Sequence, residues 1–298
     1  MIRGFVERWR DVAVGIGDDA AIMDVPAGEK LVISTDASVE NIHFRRGDIS
    51  PREIGYRAAA AALSDLAAMA SLARGLLFSI ILPAAWRGES SEIAEGVGAA
   101  AKSVGCPVIG GNISSGAELS ITTTVVGSSK QPATRVGARS GDHLYVTGKL
   151  GGAGAAVDAW ASGRTPAPQI RARFVAPSPR ITEAQWLSEK GISAAIDISD
   201  GLTTDARHLA EAGGVEITID SERVPIESGA TLDEALSGGE DYELLVTAPS
   251  LDTREFEKKF NLPLTDIGLV SKGKPYARIL RGGVEVPARA GYDHMANR

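Results

Sequence analysis

Gly15-Ile16-Gly17-Asp18-Asp19-Ala20-Ala21 sets two adjacent acids between flexible and small residues. Three further stretches answer it: Ser34-Thr35-Asp36, Ser64-Asp65 and Asp197-Ile198-Ser199-Asp200-Gly201, each with a carboxylate beside a hydroxyl or a glycine. None adjoins a run of Lys or Arg that would neutralise it. Turns and helix caps account for any one of these acids taken alone, because Asp and Ser are ordinary capping residues. Taken together they ask for cations. Mg2+ takes oxygen ligands from one or two carboxylates plus substrate phosphates, whereas zinc favours His and Cys. The chain has only four His and one Cys.

Composition narrows the field. At 298 residues, 44% hydrophobic and 23% charged, the chain has the profile of a globular protein of one large or two medium domains, and two are expected. The single Cys106 excludes an intramolecular disulfide, and no cationic leader with an apolar core opens the sequence, so a cytoplasmic location is expected. No membrane span is expected either. The longest apolar run, Gly75-Leu76-Leu77-Phe78-Ser79-Ile80-Ile81-Leu82-Pro83, is less than half of the roughly 20 residues a spanning helix needs. It reads as a buried strand. A net charge of -7 with dispersed Arg lacks the basic stripe of a nucleic-acid footprint. A phosphate ligand would therefore need a metal to mediate.

The acids sit where the local pattern changes. Val12-Ala13-Val14 leads into the first acid pair as a strand leads into a turn; Ile22-Met23-Asp24-Val25 and Leu31-Val32-Ile33 read as strands, the second ending on Ser34-Thr35-Asp36. The Ala-rich segment 51–71 predicts a helix opening at Ser50-Pro51-Arg52-Glu53. Asp65 is its odd residue. Its helical neighbours are Ala61, Ala62, Ala68 and Met69, a setting in which a carboxylate needs a partner from elsewhere, unless this flank faces solvent. Residues 90–104 read as helix, and Val108-Ile109-Gly110-Gly111-Asn112 and 119–126 as strands. Without a regular βαβ beat, the class is α+β.

A boundary is expected within residues 131–141, rich in Gly and Pro. His143 to Ala156 reads as strand, glycine loop and helix, whose opening amides could hold an anion or whose glycines could serve close packing. It is no P-loop, since Lys149 precedes the glycines. The proline-rich stretch 165–179 reads as an irregular connection, and 181–190 as helix. Ala194-Ala195-Ile196-Asp197-Ile198 reads as a short buried strand, with Asp197 and Ser199 on one face and Asp200 at the turn into a helix. Gly238-Gly239-Glu240-Asp241-Tyr242-Glu243 is a glycine turn feeding another strand.

These motifs are recognisable as a set. Gly15-Ile-Gly-Asp-Asp-Ala-Ala21, Asn41-Ile-His-Phe44, Leu63-Ser-Asp-Leu-Ala-Ala-Met69, Asp197-Ile-Ser-Asp-Gly-Leu202, Gly238-Gly-Glu-Asp-Tyr-Glu-Leu244 and Gly291-Tyr-Asp-His294 resemble, in order, those of the thiamine-monophosphate kinase family. The resemblance implies a two-domain, mixed α/β fold of the aminoimidazole-ribonucleotide-synthetase-like superfamily. Residues 1–137 would form the N-terminal ATP- and metal-binding domain, pairing through its sheet in a homodimer, and 138–298 a C-terminal α/β domain. It implies several Mg2+ ions on Asp18, Ser34, Thr35, Asp36, Asp65, Asn112, Asp197 and Asp200, with the five acids Asp18, Asp36, Asp65, Asp197 and Asp200 carrying catalysis. Asp19, Gly111, Arg135, Ser199 and Asp200 fall on its nucleotide side, and His43, Glu240 and Tyr292 on its substrate side. Within the Glu240 motif, Asp241 and Glu243 compete for that last role.

The resemblance has departures. Asn112 stands where the family has Asp, removing one charge but leaving an amide oxygen. Arg171-Ala172-Arg173-Phe174 stands where the family tends to an Arg-His pair, and the lead-in before Gly15 is short.

The implied reaction is ATP-dependent phosphorylation of thiamine monophosphate to thiamine diphosphate. Its acceptor oxygen is already ionised near neutral pH, so positioning and charge screening are the whole task and no catalytic base is required. Aminoimidazole ribonucleotide synthesis on the same fold, and nucleotide binding without turnover, are the rivals. Selenide and carbamoyl chemistry are disfavoured, because Cys106 is misplaced for the first and the chain ends without the Cys expected for the second.

Overall fold

Ser50 and Glu53 close a reciprocal cap at the start of the Ala-rich helix. The Ser50 N–H donates to the Glu53 carboxylate at 2.7 Å, and the Glu53 N–H to the Ser50 hydroxyl at 3.3 Å. Pro51 occupies the first helical position, where its missing N–H costs nothing. In the computed structural model, which describes residues 1–17 and 19–287, this helix runs Pro51–Ala68. Asp18 and Tyr292 lie outside the described residues.

The chain divides into two units, the first comprising Met1–Leu66, Ala70–Pro132 and Val175–Ile181. Its four-stranded sheet is ordered β1 (Lys30–Val39), β4 (Ser120–Ser129), β2 (Leu72–Ile81), β3 (Val108–Ser114). β1 and β2 both run antiparallel to β4, and β3 runs parallel to β2. Helices α1 (Ile2–Trp9), α2 (Pro51–Ala68) and α3 (Ser90–Ser103) accompany it. Phe5, Trp9 and Phe78 pack ring against ring, and Trp9 Nε1 donates to the Ala94 carbonyl at 2.9 Å. α2 and α3 approach closely at paired glycines. A Cβ on Gly55 would stand 1.9 Å from the Ile93 carbonyl oxygen, and one on Gly96 1.9 Å from that of Arg52.

The second unit comprises Ala67–Met69, Ala133–Phe174 and the chain from Thr182 on. Its seven-stranded sheet is ordered β11 (Val284–Val286), β10 (Tyr276–Arg281), β7 (Glu216–Asp220), β9 (Leu264–Ser271), β5 (His143–Thr147), β8 (Leu244–Ala248), β6 (Ala194–Asp197). Only β10 and β7 pair in parallel. The helices are α4 (Gly152–Ala161), α5 (Pro168–Val175), α6 (Ile181–Glu189), α7 (Leu202–Gly213), α8 (Leu232–Ser237) and α9 (Thr253–Phe260). Leu202, Ala206 and Leu209 of α7 join Leu144, Val146, Ile196, Ile217 and Leu245 in one buried core.

The expected α+β class is observed, with three local corrections. Arg10–Val12 is a 3-10 turn and Ala13 forms an isolated bridge to Val108 where a strand is expected. Residues 22–25 form no strand: among the described residues no neighbouring segment pairs with them in a ladder, and Ile22 is 97% exposed. The proline-rich stretch is not wholly irregular, because Pro168 opens α5, where proline is tolerated. Among the described residues no helix is long and apolar enough to cross a membrane.

Candidate active site

Strand alternation sorts the first unit's ligand candidates. Ser34 and Asp36 share one face of β1, while Thr35 points to the other, where its hydroxyl meets that of Thr124 across the strand pair at 3.0 Å. Asp65, the odd acid of α2, finds its partner here. Ser34 Oγ donates to Asp65 Oδ2 at 2.5 Å, so strand and helix meet through a hydroxyl and a carboxylate. Asp36 accepts the Ala37 N–H at 2.8 Å. Asn112 lies exposed on β3 and donates through Nδ2 to Ser114 Oγ at 3.1 Å, a bond that does not use its amide oxygen. Gly111 beside it is a close-approach residue, since a Cβ would fall 1.8 Å from the Phe78 carbonyl oxygen. Asp19 is exposed in its turn.

His43 sits in a loop with a defined tautomer. Asn41 adopts a left-handed conformation, its N–H donates to the Phe44 carbonyl at 2.7 Å, and the Val39 N–H donates to His43 Nδ1 at 3.1 Å. Because Nδ1 accepts, the ring proton resides on Nε2. Trp86 Nε1 donates to Glu40 Oε2 at 2.9 Å, tying down the start of the same loop.

In the second unit the two acidic motifs lie against each other. The Ile198 N–H donates to the Glu243 carbonyl, and the Glu240 and Tyr242 N–H groups donate to the carbonyls of Ser199 and Ile198, all at 2.8 Å. Gly239 makes that contact possible, since a Cβ there would meet the Ser199 carbonyl oxygen at 2.4 Å. β6 ends at Asp197, which is buried, so Ser199 belongs to the following turn and does not continue the strand face of Asp197 as the alternation predicts. Three amides are the reason. The N–H groups of Ser199, Asp200 and Gly201 each donate to Asp205 Oδ2 at 3.1 Å, curling the chain around one buried carboxylate. Burial pushes the Asp205 carboxyl upward against the pull of His208, 3.6 Å away, and the neighbouring Asp205 raises the His208 imidazole, opposed by the burial of the ring and by the charge of Arg135. Arg135 is exposed beside the segment in which the Thr134 carbonyl accepts the Ala195 N–H at 3.0 Å.

The Glu240 motif resolves by burial. Asp241 accepts the N–H groups of Gly151 at 2.8 Å and Ala153 at 3.5 Å; its burial lifts the carboxyl to about 7. Glu243 accepts from Thr147 and Arg173, each at 2.7 Å. Glu240 alone of the three is partly exposed, with the Tyr242 hydroxyl donating to it at 3.3 Å.

Asp205 and Asp241 have a common chemical consequence. The amides opening α4, which could have held an external anion, and those of the Ser199–Gly201 turn are both filled by the protein's own carboxylates. The Gly151, Ala153 and Ser199–Gly201 amides are thereby occupied within the protein. The candidate donors of the first unit, Ser34, Asp36, Asp65 and Asn112, offer oxygens, as do Asp197 and Asp200 of the second, a donor type that suits Mg2+ better than zinc. Sequence reasoning missed Asp205 and His208, although an acid in the first turn of α7 with a His three residues on was there to be read.

Two successive domains of known families match this architecture: AIR synthase related protein, N-terminal domain, over residues 17–129, and AIR synthase related protein, C-terminal domain, over residues 139–280. The chain is thus a two-domain AIR synthase related protein. It is 35% identical to the thiamine-monophosphate kinase of Salmonella typhimurium over 96% of this chain and 93% of that one. Within the AIR synthase related proteins it belongs to the thiamine-monophosphate kinase family. The crystal structure of the Stenotrophomonas maltophilia thiamine-monophosphate kinase superposes with a TM-score of 0.83 at 32% identity, covering 93% of this chain and 95% of that one. AaThiL, solved in complex with AMPPCP and TMP, gives 0.80 at 32% identity, with 95% and 93% covered.

Proposed function

We propose that this protein transfers the γ-phosphoryl group of ATP to thiamine monophosphate, giving thiamine diphosphate and ADP. Membership of the kinase family along almost the whole chain carries the reading. The acceptor is a phosphate oxygen that needs no deprotonation, so the residues bind, orient and screen; none has to move a proton. Asp36, Asp65, Asp197 and Asp200, with Ser34 and Asn112, are assigned to magnesium. When bound, magnesium neutralises the charge of two phosphate groups that would otherwise repel. Arg135, Ser199, Asp200, Gly111 and Asp19 are assigned to the nucleotide, and His43 and Glu240 to the thiamine side, where the His43 Nε2–H is a fixed donor. Asp18 and Tyr292 complete the assignment from sequence, as does Thr35, whose side chain leaves the face of Ser34 and Asp36 and which would reach the site by other atoms.

A homodimer formed through the first unit's sheet belongs to the same proposal. Leu31 (49% exposed), Ile33 (59%), Leu72 and Ile81 carry apolar side chains on the sheet face opposite the buried Leu76, Phe78 and Ile80. An uncovered apolar sheet face of this kind marks an association surface. Ile33→Glu is expected to convert a dimer to a monomer by light scattering; a wild-type monomer at micromolar concentration would remove the proposal. A cytoplasmic setting is part of the same proposal, and it rests on kinship with the bacterial kinases.

The activity is tested by incubating purified protein with ATP, magnesium and thiamine monophosphate and separating the products. Thiamine diphosphate and ADP in equal amounts are expected, and no turnover once EDTA removes the metal. ADP without thiamine diphosphate would assign another acceptor. Bound ATP with no product would make the chain a nucleotide-binding relative, with Asn112 the first suspect.

A further inference from the structure

The turn that follows β6 is held by a residue to which no part in the reaction has been given. Asp205 is 1% exposed, and its Oδ2 collects three consecutive amides at 3.1 Å. Its other oxygen stands 3.6 Å from His208 Nδ1. Gly201, the last of the three donors, has φ +113°, and a Cβ there would lie 3.0 Å from the Ser237 backbone. Glycine reaches such a φ without steric cost and leaves room for the Ser237 backbone. An ordinary cap satisfies one or two amides at a helix start. Here a carboxylate from inside the helix reaches back to organise the residues preceding it.

The ligating atoms of Asp200, Asp205 and His208 lie within 4.8 Å of one another. Asp205 is nonetheless a poor ligand. One oxygen is saturated by amides, and the residue is buried, whereas Asp200 is partly exposed. Its negative charge still acts on Asp200, disfavouring two uncompensated carboxylates so close together and favouring a cation at the exposed one.

We propose that Asp205 is a positioning residue for phosphoryl transfer: its carboxylate fixes the Ser199–Gly201 turn through three amides and strengthens magnesium binding at Asp200 without itself ligating the metal. The proposal rests on the kinase reading for its reaction but not for its test. Groups that orient a ligand from behind typically contribute about 10- to 100-fold to metal affinity.

The test is the magnesium dependence of AMPPNP binding, followed by calorimetry on the full chain. Asp205→Asn keeps an oxygen for the amides and loses the charge; Asp205→Ala loses both. The magnesium concentration for half-maximal binding is expected to rise about tenfold in the first variant and further in the second. Should both fold poorly, Asp205→Glu carries the test, because it keeps the charge and displaces it by one methylene. A shift of at least about threefold at an unchanged thermal midpoint is then expected. Folded variants with the wild-type magnesium midpoint would show a merely structural residue and overturn the proposal, whatever stability they lose. If the wild type binds AMPPNP with magnesium and the variants shift, yet no thiamine diphosphate is ever formed, the kinase reading fails and this one stands.

Discussion

Asp65→Asn loses about a thousandfold in kcat while the protein stays folded, the upper end of what one group in a preorganised electrostatic site contributes. The substitution keeps an oxygen where Ser34 Oγ now donates to Asp65 Oδ2 at 2.5 Å, so the tie between β1 and α2 survives. What disappears is one negative charge on the face that carries Ser34 and Asp36. Charge is the part the chemistry uses. On the proposed kinase reading, screening of two phosphates is the work of carboxylates and the cations they would hold. Thermal unfolding within a few degrees of wild type, weak turnover and partial recovery at high magnesium are the expected results. Normal turnover at limiting magnesium would remove Asp65 from the site.

Glu243→Ala has the largest expected effect on stability. Glu243 is wedged at a junction. It accepts from Thr147 Oγ1 and from Arg173, while Thr147 Oγ1 in turn accepts the Leu244 N–H at 2.8 Å and Arg173 donates to the Lys149 carbonyl at 3.0 Å. One side chain therefore joins the end of β5, the glycine loop, α5 and the start of β8. Its carboxylate stands so near Gly148 that a Cβ there would meet it at 2.2 Å. Deleting one member of a buried charge pair leaves the other uncompensated and costs about 3–5 kcal/mol. In a chain of this size that lowers the thermal midpoint by about 5–8 °C. Glu243→Gln, which keeps the Thr147 contact, should lose roughly half as much. A midpoint within 2 °C, about the effect of 1 kcal/mol or less, would mean that Arg173 re-pairs with Glu227, now 3.7 Å from its Nε.

These predictions draw on two sources of information in the chain. Elements whose signal is local were legible. The Ser50-Pro51-x-Glu53 cap announces α2, the run of β-favouring residues from Leu31 to Thr35 announces β1, and the need of Asp65 for a partner follows from its alanine neighbours. Residues 22–25 misled because strand-forming residues make a strand only where another chain segment supplies hydrogen bonds. α5 was hidden because proline breaks a helix everywhere except at its start.

By itself, then, the sequence determined the α+β class, the order of the acidic motifs and an all-oxygen ligand chemistry, since these rest on residue type and on spacings of a few residues. Only the tertiary structure decided which acids face inward. The glycine loop 148–154 reads equally as an anion cradle or a packing surface until Asp241, 90 residues beyond Gly151, is seen to fill it. Likewise Asp241 and Glu243 are indistinguishable from Glu240 along the chain, and separate only when Thr147 and Arg173 arrive from distant elements. A buried carboxylate is tolerated where donors converge on it, and that convergence is a property of the folded chain, not of its local pattern.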